Sequence, residues 1–204
     1  MPSFDPAELN PAETYFLLTS LVVPRPIAWV SSLAPDGTRN LAPHSYFNAI
    51  SSHPPIVHFT STGVKDSLRN VRATGEFVVN VVTADLVEPM NLTAADFPPE
   101  EDEFTWAGLA AAPSAVVAPP RVAAAQAAME CRLRDVVSMG NGHMVFGDVV
   151  AVHVADEVWH DGRVDPGRLH AVGRLAGSGY TAVTDPFFLR RPSWTDLRDA
   201  GPRG

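Results

Sequence analysis

Between Ala42 and Arg69 the chain reads A-P-H-S-Y-F-N-A-I-S-S-H-P-P-I-V-H-F-T-S-T-G-V-K-D-S-L-R, with hydroxyl, amide and cationic side chains spaced to hold an anion. Ser45 to Asn48 form one polar cluster and Thr60 to Thr62 a second, separated by the hydrophobic run Ile56 to Phe59. The second cluster passes through Gly63 into Lys65-Asp66-Ser67, and Lys65 is the single lysine of the chain. The order strand, Ser/Thr-rich turn, helix start brings unpaired first-turn N–H groups and the positive end of a helix dipole beside those hydroxyls. Lys65 would add a mobile point charge. The same residues also read as an ordinary capped helix with a solvated lysine, and the local pattern does not separate the two.

Other chemistries lack their residues. The histidines at 44, 53, 58, 143, 153, 160 and 170 show no zinc-ligand spacing, and Cys131 is the one cysteine. No metal site is expected. His58 and His153 fall within strand patterns and read as structural, and Cys131 sits in an alternating strand where a buried thiol is the ordinary state. There is no Gly-x-Ser-x-Gly elbow and no Rossmann or Walker loop between a strand and a helix, so a nucleotide would have to be held by other means.

Length and composition limit what can position these groups. With 204 residues, 46% hydrophobic and 19% charged, the chain is expected to form a single globular domain over 1–204. Nineteen prolines favour short strands joined by turns over long helices. A net charge of −8 without a basic run argues against nucleic acid, and an anionic ligand would need local donors to hold it against the overall field. The first residues are polar, with Asp5 and Glu8, and no apolar run approaches the ~20 residues of a membrane span, so a soluble cytoplasmic protein is expected.

Asn10-Pro11-Ala12-Glu13 has the order of a capping box with proline at the first helical position, and the helix must end before Pro24-Arg25-Pro26. Ile27 to Leu33 and Thr38 to Ala42 flank the turn Pro35-Asp36-Gly37 as a hairpin. Lys65 to Thr74 reads as a helix stopped by Gly75, Glu76 to Val82 as a strand covered on both faces, and Thr83 as the cap of a helix over 84–91. The acidic run 96–103 reads as solvated surface. Met129, Cys131 and Leu133 alternate with charged residues, and Gly140-Asn141-Gly142 turns that strand into Met144 to Val154. Six or seven strands with short helices at their connections indicate a mainly-β barrel.

Several phrases, in order, resemble the flavin reductase-like, FMN-binding split-barrel family and its flavoredoxin-like branch. They are Pro24-Arg-Pro-Ile-Ala-Trp-Val-Ser-Ser32, Asp36-Gly-Thr-Arg-Asn-Leu-Ala-Pro43, Ser45-Tyr-Phe-Asn-Ala49, Pro54-Pro55, Lys65-Asp-Ser-Leu-Arg-Asn70 and Gly75-Glu-Phe-Val-Val-Asn80. The likeness continues through Met90-Asn91 and Gly147-Asp-Val to Gly177-x-x-Tyr180, covering about residues 14 to 180 and leaving 181–204 as a tail.

The resemblance implies a six-stranded antiparallel split barrel of Greek-key type, a homodimer with FMN (FAD being the alternative) at the subunit interface, and NADH or NADPH as reductant. It assigns the flavin site to Ser45, Asn48, Thr60, Ser61, Thr62, Lys65 and Ser67, with Arg174 and Tyr180 nearby, from the partner subunit in one arrangement. Residues 28 to 32 with Tyr46, Phe47 and Asn48 would build the ring slot, one of the two aromatics being core. Hydride transfer to flavin N5 needs no acid or base from the protein, so no catalytic residue is named. A monooxygenase is one candidate acceptor of the electrons. Family members using NAD(P)H often carry Gly-Asp-His before the late strand, whereas this chain has Gly140-Asn141-Gly142-His143, and a slip of one residue in a hairpin reverses the face of a side chain. The alternatives are a flavoredoxin-like electron carrier, its acidic loop 96–103 docking a basic partner, and a non-enzymatic flavin-binding module.

Overall fold

Proline and glycine divide the chain into short elements, which a computed structural model describes for residues 1–201. Helix α1 (Pro11–Leu21) starts as its sequence requires: Asn10 Oδ1 accepts from the N–H groups of Ala12 and Glu13 at 3.0 Å, and the Glu13 carboxylate accepts from Asn10 N–H. Strands β1 (Arg25–Pro26), β2 (Ala28–Leu33) and β3 (Arg39–His44) follow, the last two forming the expected hairpin. A second hairpin pairs β4 (Phe47–Ser52) with β5 (Pro55–Thr62). Helix α2 (Asp66–Thr74) ends on Gly75, whose φ of 75° is the left-handed turn that a residue without Cβ enters at least cost.

Strand β6 (Glu76–Val81) then leads to α3 (Val87–Leu92). Thr83 does not cap a helix over 84–91. Its hydroxyl bonds the Asp85 carboxylate, and residues 84–86 form a 3₁₀ turn before α3. Beyond α4 (Glu103–Trp106), β7 (Ala111–Ala112) pairs with β8 (Arg121–Val122), and β9 (Ala127–Met139) turns at Gly140-Asn141 into β10 (Gly142–Val154). The remainder comprises β11 (Trp159–His160), β12 (Arg163–Val164), α5 (Pro166–Leu169), β13 (Val172–Arg174), β14 (Tyr180–Ala182) and α6 (Trp194–Ala200).

The main sheet runs β3-β2-β6-β9-β10-β5-β4, antiparallel throughout, and its two edge strands are consecutive in the chain. Only Ser45-Tyr46 bridges them, so the seam of this split barrel opens between β3 and β4, where the polar clusters lie. The sheet has seven strands, within the six or seven read from the residues and one more than the resemblance implies. The strand that the sequence does not announce is β4, whose mostly exposed F-N-A-I-S-S sequence lacks the alternation that marks a half-buried strand. Within the barrel Val30, Phe59, Leu68, Phe77, Cys131 and Val145 pack together, and a second cluster around Trp29, Leu41, Met90 and Phe104 fills the space under α3 and α4. Burial, with the charges of Asp148 and Glu130, pushes the Cys131 thiol up to about 12, which makes it an inert core residue. No helix among the described residues is long and apolar enough to cross a membrane.

Gly147 sits at a register shift in the β9–β10 ribbon, where a Cβ would overlap the Phe77 ring and approach Cys131 Cβ to 3.1 Å. Gly147→Ala is therefore expected to destabilise the barrel by about 1–3 kcal/mol through overpacking. A lowered urea midpoint with an unchanged m-value would register it.

Candidate functional site

Two cavities meet at the seam. The first, about 260 Å³, is lined by Asn40 to His44 apart from Leu41, by Thr62, Lys65 and Ser67 across the β5–α2 turn, and by residues 93–97 opposite. The second, about 180 Å³, lies between Tyr15 of α1 and Ser45, Tyr46 and Thr60. Pro43, His44 and Thr62 belong to both. The fold thus joins a pocket rich in donors to one flanked by two phenols.

The hydroxyls differ in what they have free. Thr62 is exposed, whereas Ser61 Oγ donates to the Gly63 carbonyl at 2.8 Å and braces the turn. Ser67, buried in the first turn of α2, donates to Asn40 Oδ1 at 3.1 Å. Lys65, at the N-cap of α2, pairs with Asp96 at 3.2 Å across the mouth, with both side chains exposed. Of the two adjacent aromatics, Tyr46, in the connection before β4, lines the second cavity, and Phe47, the first residue of β4, packs on the barrel core.

Other expected positions lie elsewhere. Asn48 is exposed on β4, its Oδ1 accepting from Ala49 N–H. Residues 28–32 are fully buried within the sheet and line neither cavity. Arg174 stacks its guanidinium on the Tyr180 ring at 4.5 Å, and the Tyr180 hydroxyl donates to Asn91 Oδ1 at 2.9 Å, away from both cavities of the same chain. His143 bonds Ser138 Oγ at 2.8 Å and also lines neither.

Sequence reasoning missed the polar network beneath the first cavity. Asn40 Nδ2 donates to Glu103 Oε1 at 2.6 Å, Leu41 N–H donates to Glu103 Oε2 at 2.9 Å, and Ser32 Oγ donates to Asn40 Oδ1 at 3.2 Å. Asp102 pairs with Arg39 beside it. The acidic run is therefore not wholly solvated, since Glu103 is 5% exposed and anchors α4 to β3. Burial pushes the Glu103 carboxyl up, opposed by its bonds from backbone N–H groups and from Asn40. His44 completes the network through Ser67, with Nε2 3.1 Å from Ser67 Oγ and its ring 4.7 Å from that of Phe59. Asn40 and His44 share a strand face four residues apart, a period-two signal available from sequence. Nothing local marks Glu103.

The residues present fit a phosphate. Each nearby carboxylate already has a cation or N–H partner: Asp66 has Arg69, Asp96 has Lys65, and Glu103 has Asn40 and Leu41. The Thr62 hydroxyl, the first-turn N–H groups of α2 and the Lys65 N–H donors that Asp96 does not take remain to meet an anion. The burial that raises the Tyr46 phenol, with Tyr15 beside it, leaves that end uncharged and suited to a flat ring.

Comparison with known proteins gave concordant matches. A model of the flavin reductase like domain matches residues 20–168. The uncharacterized protein BH2278 of Halalkalibacterium halodurans is 37% identical over 207 residues, covering 96% of this chain and 99% of its own. Nitrilotriacetate monooxygenase component B from Bacillus cereus superposes with a TM-score of 0.89 at 36% identity, covering 93% of this chain and 98% of that one. The 2-nitrobenzoate 2-nitroreductase NbaA of Pseudomonas fluorescens also gives 0.89, at 33% identity, with coverage of 95% and 98%.

Proposed function

The chain belongs to the flavin reductase-like family, and we propose that it is an FMN-dependent oxidoreductase that takes hydride from NADH or NADPH. The observation that carries this reading is the meeting of Thr62, Lys65 and Ser67 with the start of α2 in one cavity at the barrel seam. Bound flavin would supply a two-electron centre that accepts hydride at N5. Lys65 and Thr62 would bind its phosphate, with Ser67 fixed beneath by Asn40. Ser45, Tyr46 and Thr60 would orient the ring and exclude water from one side. Tyr15, Phe16, Leu18 and Leu21 of α1 are more than half exposed, which supports a homodimer in which a second copy covers this helix and closes the seam. The similar Bacillus cereus protein is by its name one component of a monooxygenase, which favours delivery of the electrons to a partner oxygenase.

Anaerobic mixing of the FMN-loaded protein with NADH and then NADPH tests the reading. Rapid bleaching of the visible flavin bands by one donor is expected. Flavin that binds but stays oxidised with both would transfer the assignment to an electron carrier or a binding module.

A further inference from the structure

The hydrogen-bond network around His44 faces its ring with acceptors. Glu103 requires the amide nitrogen of Asn40 to face it, so Asn40 Oδ1 faces Ser32 and Ser67 and receives both hydroxyl protons. The Ser67 oxygen, its single proton directed to Asn40, is left to accept from His44 Nε2. Burial, aided by the Lys65 charge, holds His44 down at about 4, against the Thr60 backbone, which favours the protonated ring. The imidazole is thus hydrogen-bonded as a cation would be, but lacks an anion to compensate its charge.

We propose that His44 takes up a proton when a phosphate group enters the first cavity, and so serves as a second cation that selects phosphorylated flavin over riboflavin. This rests on the placement of the FMN phosphate beside Lys65 given above. The charged groups around the ring allow it. Lys65 and Arg69 are engaged by Asp96 and Asp66, Glu103 lies three hydrogen bonds away through Ser67 and Asn40, and the far side presents the phenol rings of Tyr15 and Tyr46. A dianion in the cavity would reverse the sign of the local field, which favours the charged ring.

Calorimetric titration of the flavin-free full chain with FMN and with riboflavin, in two non-phosphate buffers of unlike ionisation enthalpy between pH 5.5 and 7.5, counts the protons bound. Wild type is expected to take up at least about half a proton more per FMN than His44→Gln somewhere in this range, with no such difference for riboflavin. The glutamine keeps a donor to Ser67 but cannot ionise, so its FMN affinity should fall several-fold below wild type at pH 6 and converge toward it at pH 8. ¹⁵N-histidine NMR of the wild type provides the same reading without a variant, through the appearance of an imidazolium pattern when FMN is added. FMN binding with equal proton counts in both proteins and a neutral ring would overturn the inference while leaving the function intact. Failure of FMN to bind would overturn both.

Discussion

Replacing Lys65 by alanine is expected to weaken FMN binding about tenfold in physiological salt, and up to about a hundredfold at low ionic strength, while riboflavin binding stays unchanged. A hydrogen bond to a charged group contributes roughly 1.5–3 kcal/mol, and each 1.4 kcal/mol is a factor of ten in affinity. Lys65 is the single lysine of the chain, and its side chain is 60% exposed, so salt screens it and the lower figure applies under ordinary conditions. The folded state should hardly register the change. Among the described residues the ammonium bonds only the exposed Asp96, and such surface pairs are worth about 0–1 kcal/mol. Fluorescence titration with both flavins, at two salt concentrations, separates the phosphate from the ring. Equal affinity of Lys65→Ala and wild type for FMN would remove the phosphate from the start of α2.

What the sequence makes legible here is what short-range rules determine. The α1 capping box, the glycine stop of α2, the hairpins at Pro35-Asp36-Gly37 and Gly140-Asn141, and the strand–turn–helix around Lys65 each depend on residues within a few positions of one another. The sequence shows two adjacent aromatics, Tyr46 and Phe47, of which one is core. It does not say which, because that depends on where β4 begins and how it sits against β5. The partners Arg39–Asp102 and Asn40–Glu103 are 63 residues apart, so no local pattern joins them, and an acidic run reads as surface until the strand that needs its carboxylate is known. Arg174 and Tyr180 illustrate the same limit. Family phrases select them, yet within one chain Arg174 stacks on Tyr180 and donates to the Gly177 carbonyl while Tyr180 bonds Asn91, and only a second subunit could bring their equivalents to the seam.

Glu130 is the buried charge whose removal should cost most. It is fully buried on β9, where Oε1 lies 2.6 Å from both the Ala115 N–H and His153 Nε2, and Oε2 accepts from Val116 and Val117 at 2.6 and 3.1 Å. The segment it holds contains Pro113, Pro119 and Pro120 and cannot complete a ladder, so the carboxylate takes the place of a strand partner. Glu130→Ala would leave three N–H groups and an imidazole nitrogen without that acceptor, and a loss of about 3–5 kcal/mol is expected. Glu130→Gln, which keeps one accepting oxygen, should lose less. Burial alone would raise this carboxyl, but the bonds from Ala115, His153, Val116 and Val117 together hold it below the usual value of 4.5. A depressed native value means that the unfolded chain binds the proton first. The stabilisation is therefore complete above the ordinary glutamate range and is lost as pH falls through the lower native value. Urea unfolding at pH 7 and at pH 4 should show the gap between wild type and Glu130→Gln narrowing in acid, and a gap that does not depend on pH would show that the bonds, not the charge, hold the loop. The segment 113–120 lines neither seam cavity, so flavin affinity should persist in folded Glu130→Gln, separating a defect of the scaffold from a defect of the site.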